Sequence, residues 1–155
     1  MEIALGNYLR LQNQKGTSSF YFQNFFIQST STFQGDEYTF VPYGFSGVTV
    51  NRSGDNTEAT LVFPNNELTR AWALNAVQQR WLARVYVMAL DPEDTSVGTL
   101  MHQYNGEVAA GQWDETSLTL SLNTILDAVG SDVPLRRLTQ SLIGNIPTSA
   151  NVRLR

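Results

Sequence analysis

Hydrophobic and polar positions alternate most clearly near the middle of the chain. Tyr104, Gly106, Val108 and Ala110 are separated by more polar neighbours. Leu118, Leu120 and Leu122 alternate with Ser117, Thr119, Ser121 and Asn123. A period of two places one set on each face of a sheet and predicts two strands. A loop of about five residues at 111–115 would join them as a hairpin. That fold pairs Val108 with Leu118 and Gly106 with Leu120, apolar against apolar. The preceding run, 81–90, is apolar on both faces except for Arg84, the pattern of a central strand covered on both sides.

The rest of the chain reads mainly as strand. Residues 1–15 are short and mixed, an arm or a first strand. Gly35, Asp36 and Glu37 form a turn. A strand over 38–45 is interrupted by Pro42, which implies an edge or a bulge. Val48–Val50 and 59–63 make a second hairpin, with the Gly-, Asp- and Asn-containing segment 51–57 as its loop. A helix is expected over 67–80. Asn66 is its cap, and Glu67 suits its positive end. Leu68, Trp72, Leu74, Val77 and Trp81 supply the apolar spacing that would lay it over a face or an end of a barrel. Residues 123–129 suggest a helical turn. From about 130 an extended C-terminal segment carries Pro134 and Pro147. The expected architecture is one mainly β (α+β) domain over 1–155, an antiparallel barrel or sandwich with one covering helix.

Composition sharpens this picture. The chain has 155 residues and is 42% hydrophobic, enough for a core. Only 15% of residues are charged, against about 25% in ordinary soluble domains. A surface poor in charge and rich in Gln, Asn, Ser and Thr suits burial against partners, and it equally suits a neutral β-protein surface. Ten of the fourteen Phe and Tyr residues fall within 20–45, and residues 16–33 carry no charge. These rings are either half of the core or, in part, an interface, where aromatics are enriched. Net charge is −4, with one lysine, Lys15. Arg136 and Arg137 are the only adjacent basic pair, which argues against sequence-specific nucleic-acid binding. No apolar run approaches the roughly 20 residues of a membrane span, and the N-terminus lacks the pattern of a signal peptide.

Candidate chemistry is sparse. There is no cysteine, so disulfides, thiol catalysis and cysteine zinc sites are excluded. His102 is the single histidine and is accompanied by no nucleophile turn. Asp91, Glu93 and Asp94 lie close together without the spacing of a calcium loop. No phosphate-cradling glycine loop is present. The expectation is a non-enzyme without cofactor or metal.

The order of segments resembles the small tail-tip or baseplate hub proteins of tailed phages, a minor tail protein class with a tail-tube-like barrel. Gly35-Asp36-Glu37-Tyr38 followed by Val41-Pro42 resembles the family's early strand. Residues 61–65 leading into a helix resemble its strand-to-helix step. Residues 85–91, Gly106-Glu107-Val108 and 118–122 resemble its central sheet. Asp127, Pro134-Leu135-Arg136-Arg137 and Pro147 resemble its closing segment. Members of this group often carry a cysteine near that segment, and this chain has none.

The resemblance implies a structural virion protein, made in the host cytoplasm. It would form a threefold or sixfold homo-oligomeric ring that joins the tail tube to the tip or spike. Its partners would be copies of itself and other tail or baseplate proteins, with no membrane insertion. The interface candidates are Phe20, Phe22, Phe25, Phe26, Trp113, Arg136 and Arg137, together with the extended C-terminal segment. The alternative is a host-surface or carbohydrate-binding β-module, with Trp113 at a hairpin tip as its stacking platform. A phage-associated hydrolase, a third reading, has no motif behind it.

Overall fold

A computed structural model describes residues 4–47, 59–94 and 98–124. Nine strands and one helix follow in the order β1 (Ala4–Gln12), β2 (Ser19–Gln23), β3 (Thr30–Phe33), β4 (Asp36–Phe40), β5 (Gly44–Ser46), β6 (Ala59–Pro64), α1 (Glu67–Gln78), β7 (Leu82–Leu90), β8 (Gly98–Trp113) and β9 (Ser117–Thr124). Among the described residues the protein is mainly β with one helix. Of the helical turn expected over 123–129, Asn123 and Thr124 instead end β9, and the rest lies outside the described residues, as do the expected segments 48–50, 51–57 and 130–155 with Arg136 and Arg137.

The strands form one sheet in the order β3-β4-β2-β1-β7-β8-β9-β6-β5. All pairings are antiparallel except β2 with β4. The sheet curls until its two ends share one piece of chain. β4 lies on β2, β5 lies on β6, and only Val41-Pro42-Tyr43 separate β4 from β5. The Val41 N–H still donates to the Gln23 carbonyl (2.9 Å), and the Tyr43 carbonyl accepts from Asn24 Nδ2 (3.1 Å). Pro42, with no N–H to donate, sits where the strand leaves one neighbour for the other. Across this seam Phe22 of β2 reaches Phe63 of β6, with ring centroids 6.3 Å apart.

The barrel interior holds Leu9, Leu11, Tyr43, Ala59, Leu61, Phe63, Val85, Tyr104, Val108, Leu118, Leu120 and Leu122, all buried. The helix closes one end. Trp72, Ala73 and Ala76 enter this core, and Trp72 packs edge-on to Phe63 at 5.1 Å. Asn66 caps the helix as its sequence predicts. Its Oδ1 accepts from the Thr69 N–H (3.0 Å), and Thr69 Oγ1 accepts from the Asn66 N–H (3.1 Å). The buried stripe is Thr69, Trp72, Ala73 and Ala76. Leu68 and Leu74, expected to face the core, are instead 78% and 51% exposed. Thr69 takes the inner position because its hydroxyl also donates to the Pro64 carbonyl (2.7 Å). The helix ends two residues before the expected Arg80. Arg80 takes a left-handed φ of 48°, and the Trp81 N–H returns to the Ala76 carbonyl (3.0 Å).

The central hairpin keeps the expected faces on β9 and along β8 as far as Val108, and changes its register. Val108 opposes Leu122, Gly111 opposes Leu120, and Trp113 opposes Leu118. A bulge between Val108 and Ala110 shifts the alternation, so Ala110 turns outward and Gly111 inward. β8 therefore runs to Trp113, and the turn shortens to Asp114–Thr116. Asp114 fixes it by accepting from the Thr116 N–H (2.8 Å) and the Ser117 N–H (2.6 Å). Gly106 lies where a Cβ would come within 2.5 Å of the Asn123 carbonyl oxygen. The early turn also moves by one residue. Gln34 and Gly35, both at positive φ, form a two-residue hairpin loop, while Asp36 and Glu37 belong to β4.

Candidate assembly surface

The aromatic stretch divides by the alternation of β2. Phe20 and Phe22 point inward. Phe20 stacks on Trp81 (5.6 Å), and Phe22 lies 5.7 Å from Trp72, so both rings pack against the barrel core. Phe25 joins a second apolar cluster on the outside of the sheet, formed by Tyr8, Tyr38, Tyr86, Met88 and Leu90. Over this cluster the β3–β4 hairpin curls back, and Phe33 stacks on Tyr8 at 4.4 Å. The hairpin thus supplies the outer cover that the apolar β7 run demands. Burial from water pushes the Tyr38 phenol above its ordinary range, with Tyr86 and Asp36 adding to the shift. Burial raises Tyr43 in the same direction.

Phe26 and the neighbouring Ile27 are the rings and chains of this stretch that reach solvent, at 40% and 66% exposure. They stand on a turn held from below by Gln23, which is fully buried. Gln23 Oε1 accepts from the N–H groups of Phe25 (2.9 Å) and Phe26 (2.7 Å), and Nε2 donates to the carbonyls of Phe26 (2.7 Å) and Ser29 (3.2 Å). All four hydrogen-bonding positions of the amide are used. Sequence reading missed Gln23. It lies on the outer face of β2 with Tyr21, opposite Tyr8 of the outer cluster, where the alternation of an aromatic strand gives an amide no sign of burial.

At the helix-capped end, Trp113 lies on the last residue of β8 rather than at the tip of the turn, and is 50% exposed. Its ring edge rests against Gly111. With Asn65, Arg70, Ala73, Leu74 and Leu118 it lines a recess of about 210 Å³. Asn65 Nδ2 donates to the Asp114 carbonyl, and Arg70 Nε donates to Asn65 Oδ1 (2.6 Å), so helix and turn are tied together beside the ring. Hydrogen bonds from the Ser117 and Thr116 backbone hold the Asp114 carboxyl below its usual range. The exposed candidates thus separate into two places, Phe26 with Ile27 on one turn and Trp113 with Leu74 beside the helix.

His102 is half-buried on β8, and its Nε2 is shielded with no hydrogen-bond partner. In the DPEDT segment Asp91 Oδ1 accepts from the Glu93 N–H (2.9 Å), which makes a tight turn. Among the described residues no helix is long and apolar enough to cross a membrane.

No protein-family model matches the chain, and no curated protein matches it. Among solved structures, the chain is similar to a chain in the virion of a native gene transfer agent particle. The TM-score is 0.50 and the identity 19%, over 82% of this chain and 42% of the other. The likeness is one of fold, and this chain spans less than half the length of that one.

Proposed function

We propose that the protein is a structural component of a phage-like virion. Its place would be the tail, as a hub protein whose ring joins the tail tube to the tip or spike. The observation that carries this reading is the fold likeness to a chain of a gene transfer agent virion, which extends over 82% of this chain. Two features of the surface support it. Large apolar side chains stand exposed at separate places, Phe26 with Ile27 and Trp113 with Leu74. A ring requires such separate patches, because head-to-tail contacts join different surfaces of identical subunits. The partners are further copies of the chain, three or six to a ring, and neighbouring tail proteins. Phe26, Trp113, Arg136 and Arg137 belong to the contact surface, whereas Phe20, Phe22 and Phe25 support it from within. The role is one of assembly, with no catalytic step.

The test is to purify particles from the source and look for the protein by mass spectrometry, then locate its density by electron microscopy. Density at the junction of tail tube and tip, in a threefold or sixfold ring, is the expected result. Absence of the protein from purified particles overturns the virion role. Presence in the head or along the whole tube overturns the hub assignment.

A further inference from the structure

The strand register sets Tyr21, Arg10, Arg84 and Asn105 in one row across β2, β1, β7 and β8, on the outside of the sheet. Arg10 and Arg84 are direct cross-strand neighbours. Side chains so placed have Cβ atoms about 5 Å apart, and like charges there repel. Arg10 is compensated. Asp36 lies 3.8 Å from its guanidinium, and the Tyr21 ring lies beneath it at 5.3 Å. Arg84 is exposed and has neither an ion pair nor a hydrogen bond among the described residues. The Nε of Arg10 is shielded from solvent without a partner. The row therefore holds two guanidinium charges and one carboxylate.

The surface beside Arg84 is concave. Leu82, Ala83, Arg84, Gln103, Asn105 and Gly106 line a recess of about 380 Å³. Gln103 Nε2 donates to Asn105 Oδ1 (3.1 Å), so the amides are held as a pair at the side of the guanidinium. A planar guanidinium flanked by amides suits a carboxylate.

The same two strands carry the complementary charge at their other end. Asp91, Glu93 and Asp94 provide three carboxyl groups in four exposed residues with no basic residue among them. The Asp91 side chain fixes this turn through the Glu93 N–H. The Glu93 carboxylate forms no ion pair among the described residues. We propose that Arg84 is a subunit-docking site that receives Glu93 from a second copy of this chain. The basic row and the acidic turn are different surfaces, so the contact is head-to-tail and can close a ring. This inference rests on the self-assembling reading above and names one of its contacts.

The full-length protein tests it by sedimentation velocity and mass photometry over a range of concentration and salt. The parent should associate, and more weakly as salt rises. Arg84→Glu and Glu93→Arg should each weaken association by about tenfold or more. The double variant Arg84→Glu/Glu93→Arg should regain it, because the pair is restored with the charges exchanged. Both positions are exposed, so circular dichroism should match the parent, and the thermal midpoint should not fall, since Arg84→Glu removes the like-charge contact with Arg10. Association of the parent that neither single variant changes overturns the proposal. So does rescue of Arg84→Glu by Glu115→Arg and not by Glu93→Arg, which would assign the acidic partner to the other turn. Unchanged self-association with loss of Arg84→Glu from assembled particles would make the occupant a different protein and overturns it too. A parent that stays monomeric at every concentration refutes the self-assembly reading itself, and the contact falls with it.

Discussion

Gln23→Leu is the most informative single change in the barrel. The side chain is fully buried, and the substitution nearly conserves its volume while removing four hydrogen bonds. The backbone N–H groups of Phe25 and Phe26 each lose the acceptor that Gln23 provides. An unsatisfied buried donor costs about 1–3 kcal/mol. The two carbonyls lose less, because each has a second lone pair. The added apolar surface of leucine returns part of the cost. Expected destabilisation is therefore about 2–5 kcal/mol, measured by urea unfolding with the slope checked for two-state behaviour. A loss below about 1 kcal/mol, smaller than one unsatisfied donor, would show that the turn does not depend on this amide. Gln23→Glu separates the two halves of the network. Its carboxylate can still accept from both N–H groups but faces two carbonyl oxygens. Burial and those oxygens raise its folded pKa above the unfolded value near 4.3. The variant should thus be most stable below that pH and lose stability as pH rises, opposite to an ordinary surface carboxylate.

Other outcomes follow from the same geometry. Leu120→Ala, fully buried between Leu61 and Gly111 in the sheet, should cost about 2–5 kcal/mol in denaturant unfolding. Gly106→Ala should destabilise by about 1–3 kcal/mol, because the new Cβ meets the Asn123 carbonyl oxygen. Tyr38 and Tyr43 have raised folded pKa values, so the unfolded chain releases their protons first. Stability should be intact below about pH 10 and fall above it, with tyrosinate absorbance appearing together with unfolding. Trp113→Ala should leave circular dichroism unchanged and reduce assembly into particles. Specific binding to a glycan array that disappears in the same variant would instead favour the carbohydrate-binding module.

The sequence made the faces of the sheet legible and left its register hidden. Leu118, Leu120 and Leu122 alternate without interruption, and all three are buried. Nothing in GEVAAGQW marks the bulge, because Ala109 and Ala110 are both small enough to face either way. The turn lies at 114–116 rather than 111–115, and with the bulge this moves Val108 from Leu118 to Leu122 and Gly106 from Leu120 to Thr124. The helix start was legible because Asn66 caps by chemistry. Its buried face was legible in part, since Trp72 and Trp81 are buried and Val77 packs on the core, but Thr69 takes the place expected of Leu68 through a bond to the Pro64 carbonyl that spacing cannot reveal. The aromatic stretch was equally ambiguous for a physical reason. Phe22 and Phe26 are the same residue type in the same uncharged context, and only the fold decides that one packs on Trp72 and the other stands in water. Gln23 shows the converse, since an amide reads as surface until its four partners are known.

The position of β1 bears on how the chain must be made. The first strand lies between β2, which follows it closely, and β7, which is synthesised only after the helix. Until β7 leaves the ribosome, β1 offers an unpaired edge, and Tyr8 and Leu9 lack the neighbours that bury them on either side. The aromatic first third of the chain thus passes through synthesis as an unfinished sheet, and exposed edges of that kind invite pairing with another chain. The long wait between first strand and partner should make folding slow. A pulse of synthesis followed by protease challenge should show protection arriving only with completion of β9, in one step rather than strand by strand.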